Sequence, residues 1–168
     1  MRKNLAEINS LPYRYGVGMM LVNKDSQVFV GKRIDTSSEA WQMPQGGIDE
    51  GEDEKAAAFR ELEEEVGTKN ATLIAQSADY YYYDLPEDLI PKVWGGKFKG
   101  QKQRWFVFLF NGDDKDINIE TEHPEFCQWK WISAKELPDV IVPFKRKIYS
   151  EIVDEFSNLI EKINESDI

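Results

Sequence analysis

The 168-residue chain carries 21 basic and 31 acidic residues, a net charge of −10, with 41% hydrophobic and 31% charged residues. Its length suits one domain spanning 1–168 and not comfortably two, and its composition is that of a soluble globular protein. No apolar run approaches the ~18 residues of a membrane span, MRKNLAEINSLPYRYG lacks an apolar signal core, and a lone cysteine excludes an internal disulfide, so no membrane is expected and a reducing cytoplasm is.

The first ten or so residues and the last five are expected to be loosely held. YGVGMMLVN and QVFVGKR are β-rich runs separated by the turn-forming KDS, which predicts a hairpin. WQMPQGGIDEGE is broken by Pro44, Gly46, Gly47 and Gly51 and reads as loop. A helix is predicted from about Asp53 to Val66, with acids in its first turn and Gly67 as its stop. TLIAQSADYYYYDL, RWFVFLFN and FCQWKWI read as further strands. Alternation in FCQWKWI sets Phe126, Gln128, Lys130 and Ile132 opposite Cys127, Trp129 and Trp131. Cys127 is expected to be a small buried residue beside Phe126, and His123 a loop residue next to Pro124. Tyr80 to Tyr83 put ring pairs on both faces of a strand, a packing role. After Pro143, the residues Phe144, Ile148, Ile152, Phe156, Leu159 and Ile163 recur at helical spacing and predict a long amphipathic helix. Strands, helix, strands, helix imply an α+β fold with helices packed on a mixed sheet.

Charge is segregated. Asp49 to Glu65 holds nine acids against Lys55 and Arg60, a net of −7, while Pro91 to Trp105 holds five bases and no acid. One histidine and one cysteine rule out a His-rich metal site, so any metal is held mainly by oxygen, which points to Mg²⁺ or Mn²⁺. On a helical wheel Ala58, Leu62, Val66 and Phe59 form the core face. Glu65, Glu61 and Glu64 sit on its shoulder, whereas Glu63 and Arg60 point away. Like charges three and four apart repel by roughly 0.2–0.5 kcal/mol per pair. Both a solvated acidic face and a cation held between the three carboxylates fit this segment alone.

The longer pattern is more specific. Gly46, five residues, Glu52, seven residues, then Arg60, Glu61, Leu62, one residue, Glu64, Glu65, one residue and Gly67 resembles the Nudix box, G-x5-E-x7-R-E-U-x-E-E-x-G-U with U aliphatic. Only the last position departs, where Thr68 stands. The resemblance implies an α/β/α sandwich with a mixed curved sheet, the box as loop–helix–loop, and a long C-terminal helix. It also implies hydrolysis of a nucleoside diphosphate linked to another group. Glu61, Glu64 and Glu65, with Gly46 beside them, would hold two or more Mg²⁺ or Mn²⁺ ions against the phosphates and lower the pKa of an attacking water. Glu52 would brace the loop or reach the metals through water. Arg60 would orient the helix by pairing with a carboxylate, and Gly46 and Gly47 would free the backbone to approach phosphate.

Beyond the box, YRYGVG, GKR, WQMPQGG, WGGKFKGQKQRWF, PEFCQWKW and VPFKRKIY resemble the bacterial RNA pyrophosphohydrolases and their dinucleoside polyphosphate hydrolase relatives. That resemblance makes Glu125 a further metal ligand or the general base, with Glu64 the other candidate base. It implies that Arg14, Arg33, Gln101, Lys102 and Lys145 face phosphates, and that Phe144 with Arg33 sandwiches a base of an RNA end. Taken on its spacing alone, Phe144 could equally begin the apolar stripe of the last helix. DLPEDLIPKVWGG also resembles the dinucleoside polyphosphate branch. The expected substrate is the 5′-triphosphate end of RNA, then a dinucleoside tetra- or pentaphosphate, with DNA not expected. A non-catalytic nucleotide sensor ranks last, because no box glutamate is missing.

Overall fold

The structure is a computed structural model and describes residues 4–35 and 39–165; parts of the two terminal segments expected to be loose lie outside these residues. Where the N-terminal segment is described it forms a short helix, α1 (Leu5–Asn9). Asn4 accepts from the Glu7 backbone N–H and Glu7 bonds back to Asn4, the reciprocal cap that lets so short a helix form. It buries no residue.

β1 (Tyr13–Val22) and β2 (Gln27–Arg33) are joined by the predicted turn, in which the Asn23 side chain accepts from the N–H groups of Asp25 and Gln27. They pair at Val22 and Val28, then diverge. The gap is filled by the segment expected to be loop. Gln42 exchanges backbone bonds with Gly31 of β2, the Met19 N–H donates to the Pro44 carbonyl, and β3 (Gln45–Gly47) pairs with Gly16–Gly18 of β1. Its glycines and proline mark a wedge whose backbone groups are satisfied by two other strands, which local composition does not reveal.

α2 (Glu54–Val66) follows, with Asp53 capping its N-terminus and Gly67 at φ 78° ending it, as predicted. The tyrosine-rich run splits into β4 (Ala71–Gln76) and β5 (Tyr81–Asp84), which pair with opposite ends of one edge of β6 (Gly100–Phe110). β7 (Phe126–Ser133), α3 (Leu137–Val140) and α4 (Arg146–Glu165) complete the chain. The strand order β4-β6-β1-β2-β7 contains a parallel β1–β6 pair among antiparallel ones, so the sheet is mixed.

Alternation along β1 and β6 builds two cores. Met20, Val22, Trp105 and Val107 face α4, where Ile148, Ile152, Phe156, Ile160 and Ile163 are buried. Val17, Met19, Leu21, Phe106 and Phe108 face Ala57, Ala58, Leu62 and Val66 of α2. Each large buried side chain contributes roughly 1.5–3 kcal/mol, an upper estimate. The result is the expected α+β sandwich of helix, sheet and helix. Phe144 lies outside the α4 stripe, in a single 3₁₀ turn (Pro143–Lys145) before the helix.

β7 departs from simple alternation. Lys32 pairs with Gln128 but Arg33 pairs with Phe126, so Cys127 is the extra residue of a bulge. The bulge turns Phe126 to the α2 side beside Trp129 and Trp131, away from Ile132, and leaves Cys127 exposed where a buried residue was expected.

Candidate active site

The three shoulder glutamates of α2 differ sharply in exposure. Glu65 is 4% exposed, while the side chains of Glu61 and Glu64 are 15% and 53% exposed. Burial pushes the Glu65 carboxyl well above the usual range, reinforced by the charges of Glu61 and Glu125. Its Oε2 is buried without a hydrogen-bond partner. An orphaned carboxylate oxygen beside other carboxylates is a strained arrangement that a hard cation relieves, so the donor set fits a divalent ion. Burial also raises the Glu61 carboxyl, opposed by Arg60 and aided by Glu64 and Glu125.

Arg60 was expected to point away from the trio, yet its long side chain folds back onto it. Nη1 lies 2.8 Å from Glu61 Oε1 and 3.2 Å from Glu64 Oε2. Nε and Nη2 grip both oxygens of Glu52 at 2.8 and 2.9 Å, and Nη2 also donates to the Gly47 carbonyl at 3.1 Å. Glu52 in turn accepts from the Asp49 N–H at 3.0 Å. The Arg60 bonds, then that N–H, hold the Glu52 carboxyl down at about 2. Glu52 therefore braces the loop, and Arg60 ties loop to helix. With Arg60 on Glu61 and Glu64, no three acidic, histidine or cysteine side chains among the described residues already stand at ion-binding spacing. The expected convergence of Glu61, Glu64, Glu65, Glu125 and Gly46 is thus partial: Glu61, Glu65, Gly46 and Glu125 line one cavity and Glu64 does not.

The glycines serve by being small. Neither Gly46 nor Gly47 has a positive φ; both lie in β3. A Cβ on Gly46 would strike the Glu61 carboxylate, and one on Gly47 the Arg14 guanidinium. Their missing side chains, more than backbone freedom, let a carboxylate and a cation approach the same strand from neighbouring positions.

Glu125 stands just before β7, and its backbone carbonyl accepts from the Ile34 N–H at 3.0 Å, which ties this loop to the end of β2. The cavity it shares with the box has a volume of about 620 Å³. Besides the carboxylates it is lined by Arg14, Arg33, Gln101, Phe144 and Lys145, with Tyr83 and Trp94. Gln101 is 1% exposed and is bonded to Gln103 and Tyr83. Arg33 is held by Asp35 through two bonds of 2.7 and 2.5 Å. Lys145, 7% exposed, has its Nζ 4.9 Å from the Tyr83 ring centre and 5.9 Å from that of Phe144. Burial, then the charge of Arg33, pushes it down to about 8.

Of the predicted substrate contacts, Lys102 is not in the cavity. Strand alternation sends it to the opposite face of β6 from Gln101, over the rings of Tyr80 and Tyr15 at 4.4 and 5.6 Å. Conversely, Trp94, which was not singled out, and Tyr83, which was given a packing role, enter the wall. Trp94 has a positive φ of 49° and the Arg14 guanidinium 5.2 Å from its ring centre. A tryptophan before two glycines was the available signal.

Comparison with known proteins places this arrangement. The NUDIX domain matches residues 12–152. A protein of Rickettsia typhi named RNA pyrophosphohydrolase is 55% identical over 161 residues, 96% of this chain and all of that protein. One of the same name from Rickettsia canadensis is 58% identical over 151 residues, 90% and 94% of the two chains. Among solved structures, the E. coli dihydroneopterin triphosphate pyrophosphohydrolase aligns with a TM-score of 0.64 at 20% identity over 86% and 99% of the chains. A C. elegans Ap4A hydrolase binary complex aligns at 0.59 and 17% over 85% and 98%. At these identities the structural likeness speaks for the fold.

Proposed function

The chain belongs to the NUDIX family and is a pyrophosphohydrolase, and on that premise we propose that it acts on the 5′-triphosphate end of RNA, releasing pyrophosphate and leaving a 5′-monophosphate. The observation that carries this reading is the 55–58% identity, over nearly the whole chain, to proteins named for that reaction. The cavity supports it, because carboxylates, cations and aromatic rings line the same space.

Divalent cations, Mg²⁺ or Mn²⁺ in our reading, neutralise phosphate charge and acidify a water when bound. Glu61, Glu65 and Glu125 would hold them, with Glu64 joining once Arg60 lets it go and Gly46 leaving room. Arg14, Arg33 and Lys145 draw the polyphosphate in and hold it; Gln101 orients it. Phe144 and Arg33 hold a base between ring and guanidinium. Glu64 or Glu125, the two exposed carboxylates, takes the proton of the water as its oxygen bonds to phosphorus and the anhydride bond breaks. Arg60, held by Glu52, keeps the helix and loop in register while this happens.

One feature favours dinucleoside polyphosphates as second substrates: Trp94 gives the cavity another aromatic wall, suited to a second base. Turnover of a 5′-triphosphorylated oligoribonucleotide and of diadenosine tetraphosphate, measured side by side, tests the ranking. Higher catalytic efficiency on the RNA, with pyrophosphate and 5′-monophosphate as products, is expected. Efficiency confined to the dinucleotide would overturn it.

A further inference from the structure

The displaced Lys102 sits in a second cluster that the cavity does not use. It is on β6, in register with Tyr15 of β1 on one side and Tyr82 of β5 on the other. Tyr13 and Tyr80 complete a ring of tyrosines around it, packed edge to face as Tyr13–Tyr82 at 5.1 Å and Tyr15–Tyr80 at 5.7 Å. Three cations lie over these rings: Lys99 4.8 Å from the centre of Tyr13, Lys102 4.4 Å from Tyr80, and Arg104 4.6 Å from Tyr80. Tyr82 and Tyr15 are 51% and 41% exposed, unusually high for large rings in a sheet.

We propose that this face binds the body of the RNA strand downstream of its 5′ end, a reading that rests on RNA being the substrate. Interleaved aromatic rings and cations are what single-stranded nucleic acid requires, since bases stack on any ring and phosphates meet the cations. Two of its cations have backbone partners, Lys99 donating to the Asn9 carbonyl at 3.3 Å and Arg104 to the Ser77 carbonyl at 2.8 Å, while Lys102 has neither a hydrogen bond nor an ion pair among the described residues. The carboxylates Glu54 and Asp84 on this face are engaged: Glu54 accepts from the hydroxyls of Tyr15 and Tyr80 and pairs with Arg104 at 3.6 Å, and Asp84 accepts from Tyr13 at 2.6 Å. Those bonds fix the rings of Tyr13, Tyr15 and Tyr80 in advance, and Tyr82 packs edge to face on Tyr13, so stacking a base costs little side-chain entropy. Lys99 and Lys102 form no ion pair among those found in the described residues.

Position supplies the link to the site. Gln101 and Tyr83 line the cavity, while Lys102 and Tyr82, their neighbours in the same strands, face the other way. A strand whose 5′ end occupies the cavity reaches this face by passing round the edge that β5 forms. The chain is acidic overall, so a local cationic–aromatic face is the place where it can hold more of an RNA than its first residues.

Two measurements test this. The first is binding of a fluorescent ten-nucleotide RNA with a 5′-hydroxyl, which lacks the phosphates that the cavity recognises. Tyr82→Ala should weaken it about 5- to 150-fold, the loss of one stacked base, whereas Tyr82→Phe, which keeps the ring, should bind like the parent. Lys102→Glu should weaken it and reduce the slope of log K against log salt by about 0.7. The second is catalytic efficiency on 5′-triphosphorylated RNAs of two and ten nucleotides. Tyr82→Ala should remove the advantage of the longer RNA and leave the dinucleotide unchanged. Unaltered binding in both Tyr82→Ala and Lys102→Glu, or equal losses on both lengths, would overturn the proposal. Failure of the parent protein to cleave either triphosphorylated RNA would instead overturn the substrate reading, and the 5′-hydroxyl RNA would still decide whether this face binds it.

Discussion

Replacing Lys145 by Met should make the protein more stable and less active, and the two effects have one cause. Lys145 is 7% exposed, and what acts on its charge is burial, then Arg33, both unfavourable. A folded-state value near 8 against 10.5 corresponds to about 3 kcal/mol of differential interaction. Because the folded value is the lower one, the unfolded chain binds more protons between pH 8 and 10.5, so this group makes stability rise with pH through that window. Below pH 8 the penalty is fully present. Methionine fills a similar volume without charge; losing the cation–ring contacts returns about 1 kcal/mol. The net gain at pH 7 is then about 2 kcal/mol, or roughly 4–8 °C in Tm for a chain of this size. Thermal and urea unfolding of both proteins at pH 7, 9 and 10.5 should show this advantage shrinking towards zero at the highest pH. Catalytic efficiency should fall at pH 7 if the buried cation meets phosphate as proposed, the stability given up then being the cost of that contact. A Lys145→Met protein that is less stable at pH 7, or whose advantage does not change with pH, would refute the reasoning.

Glu64→Gln should leave the fold intact by circular dichroism and cut turnover by a factor of at least about 10²–10⁴, the range for losing an acid–base group; a modest loss beside a severe one for Glu125→Gln would move the base to the loop. Exhaustive removal of divalent ions should abolish turnover, and Mg²⁺ or Mn²⁺ should restore it, while a zinc-selective chelator alone leaves it unchanged. Retained turnover after metal removal would contradict the role given to Glu65 and its neighbours. Phe144→Ala should cost roughly 1–3 kcal/mol on triphosphorylated RNA, about 5- to 150-fold in kcat/KM, and less on diadenosine tetraphosphate. Equal loss on the two substrates would remove the support for a base held by Phe144 and Arg33.

The sequence by itself determined the parts of this protein that depend on spacing along the chain. Asp53 and Gly67 delimit α2 because capping is a local matter of one side chain and one φ. Glu61, Glu64 and Glu65 fall on the shoulder of its core face because 3.6 residues per turn puts them there, and the same box names the family. The long apolar periodicity after Pro143 likewise sufficed for α4. Wherever a residue's place depends on partners distant in sequence, only the tertiary structure decided. Gln45–Gly47 became a strand because β1 and β2 part and leave backbone groups to be paired. The bulge opposite Arg33 turned Phe126 inward and Cys127 out, since one extra residue in β7 reverses alternation beyond it. Arg60 swung back onto Glu52, Glu61 and Glu64 because its side chain is long enough to cross the wheel that placed it elsewhere. Lys102 and Gln101 are adjacent in the sequence yet belong to opposite faces. Which face looks into the cavity was settled by β6 pairing with β1 and β5, and by where the two helices came to lie.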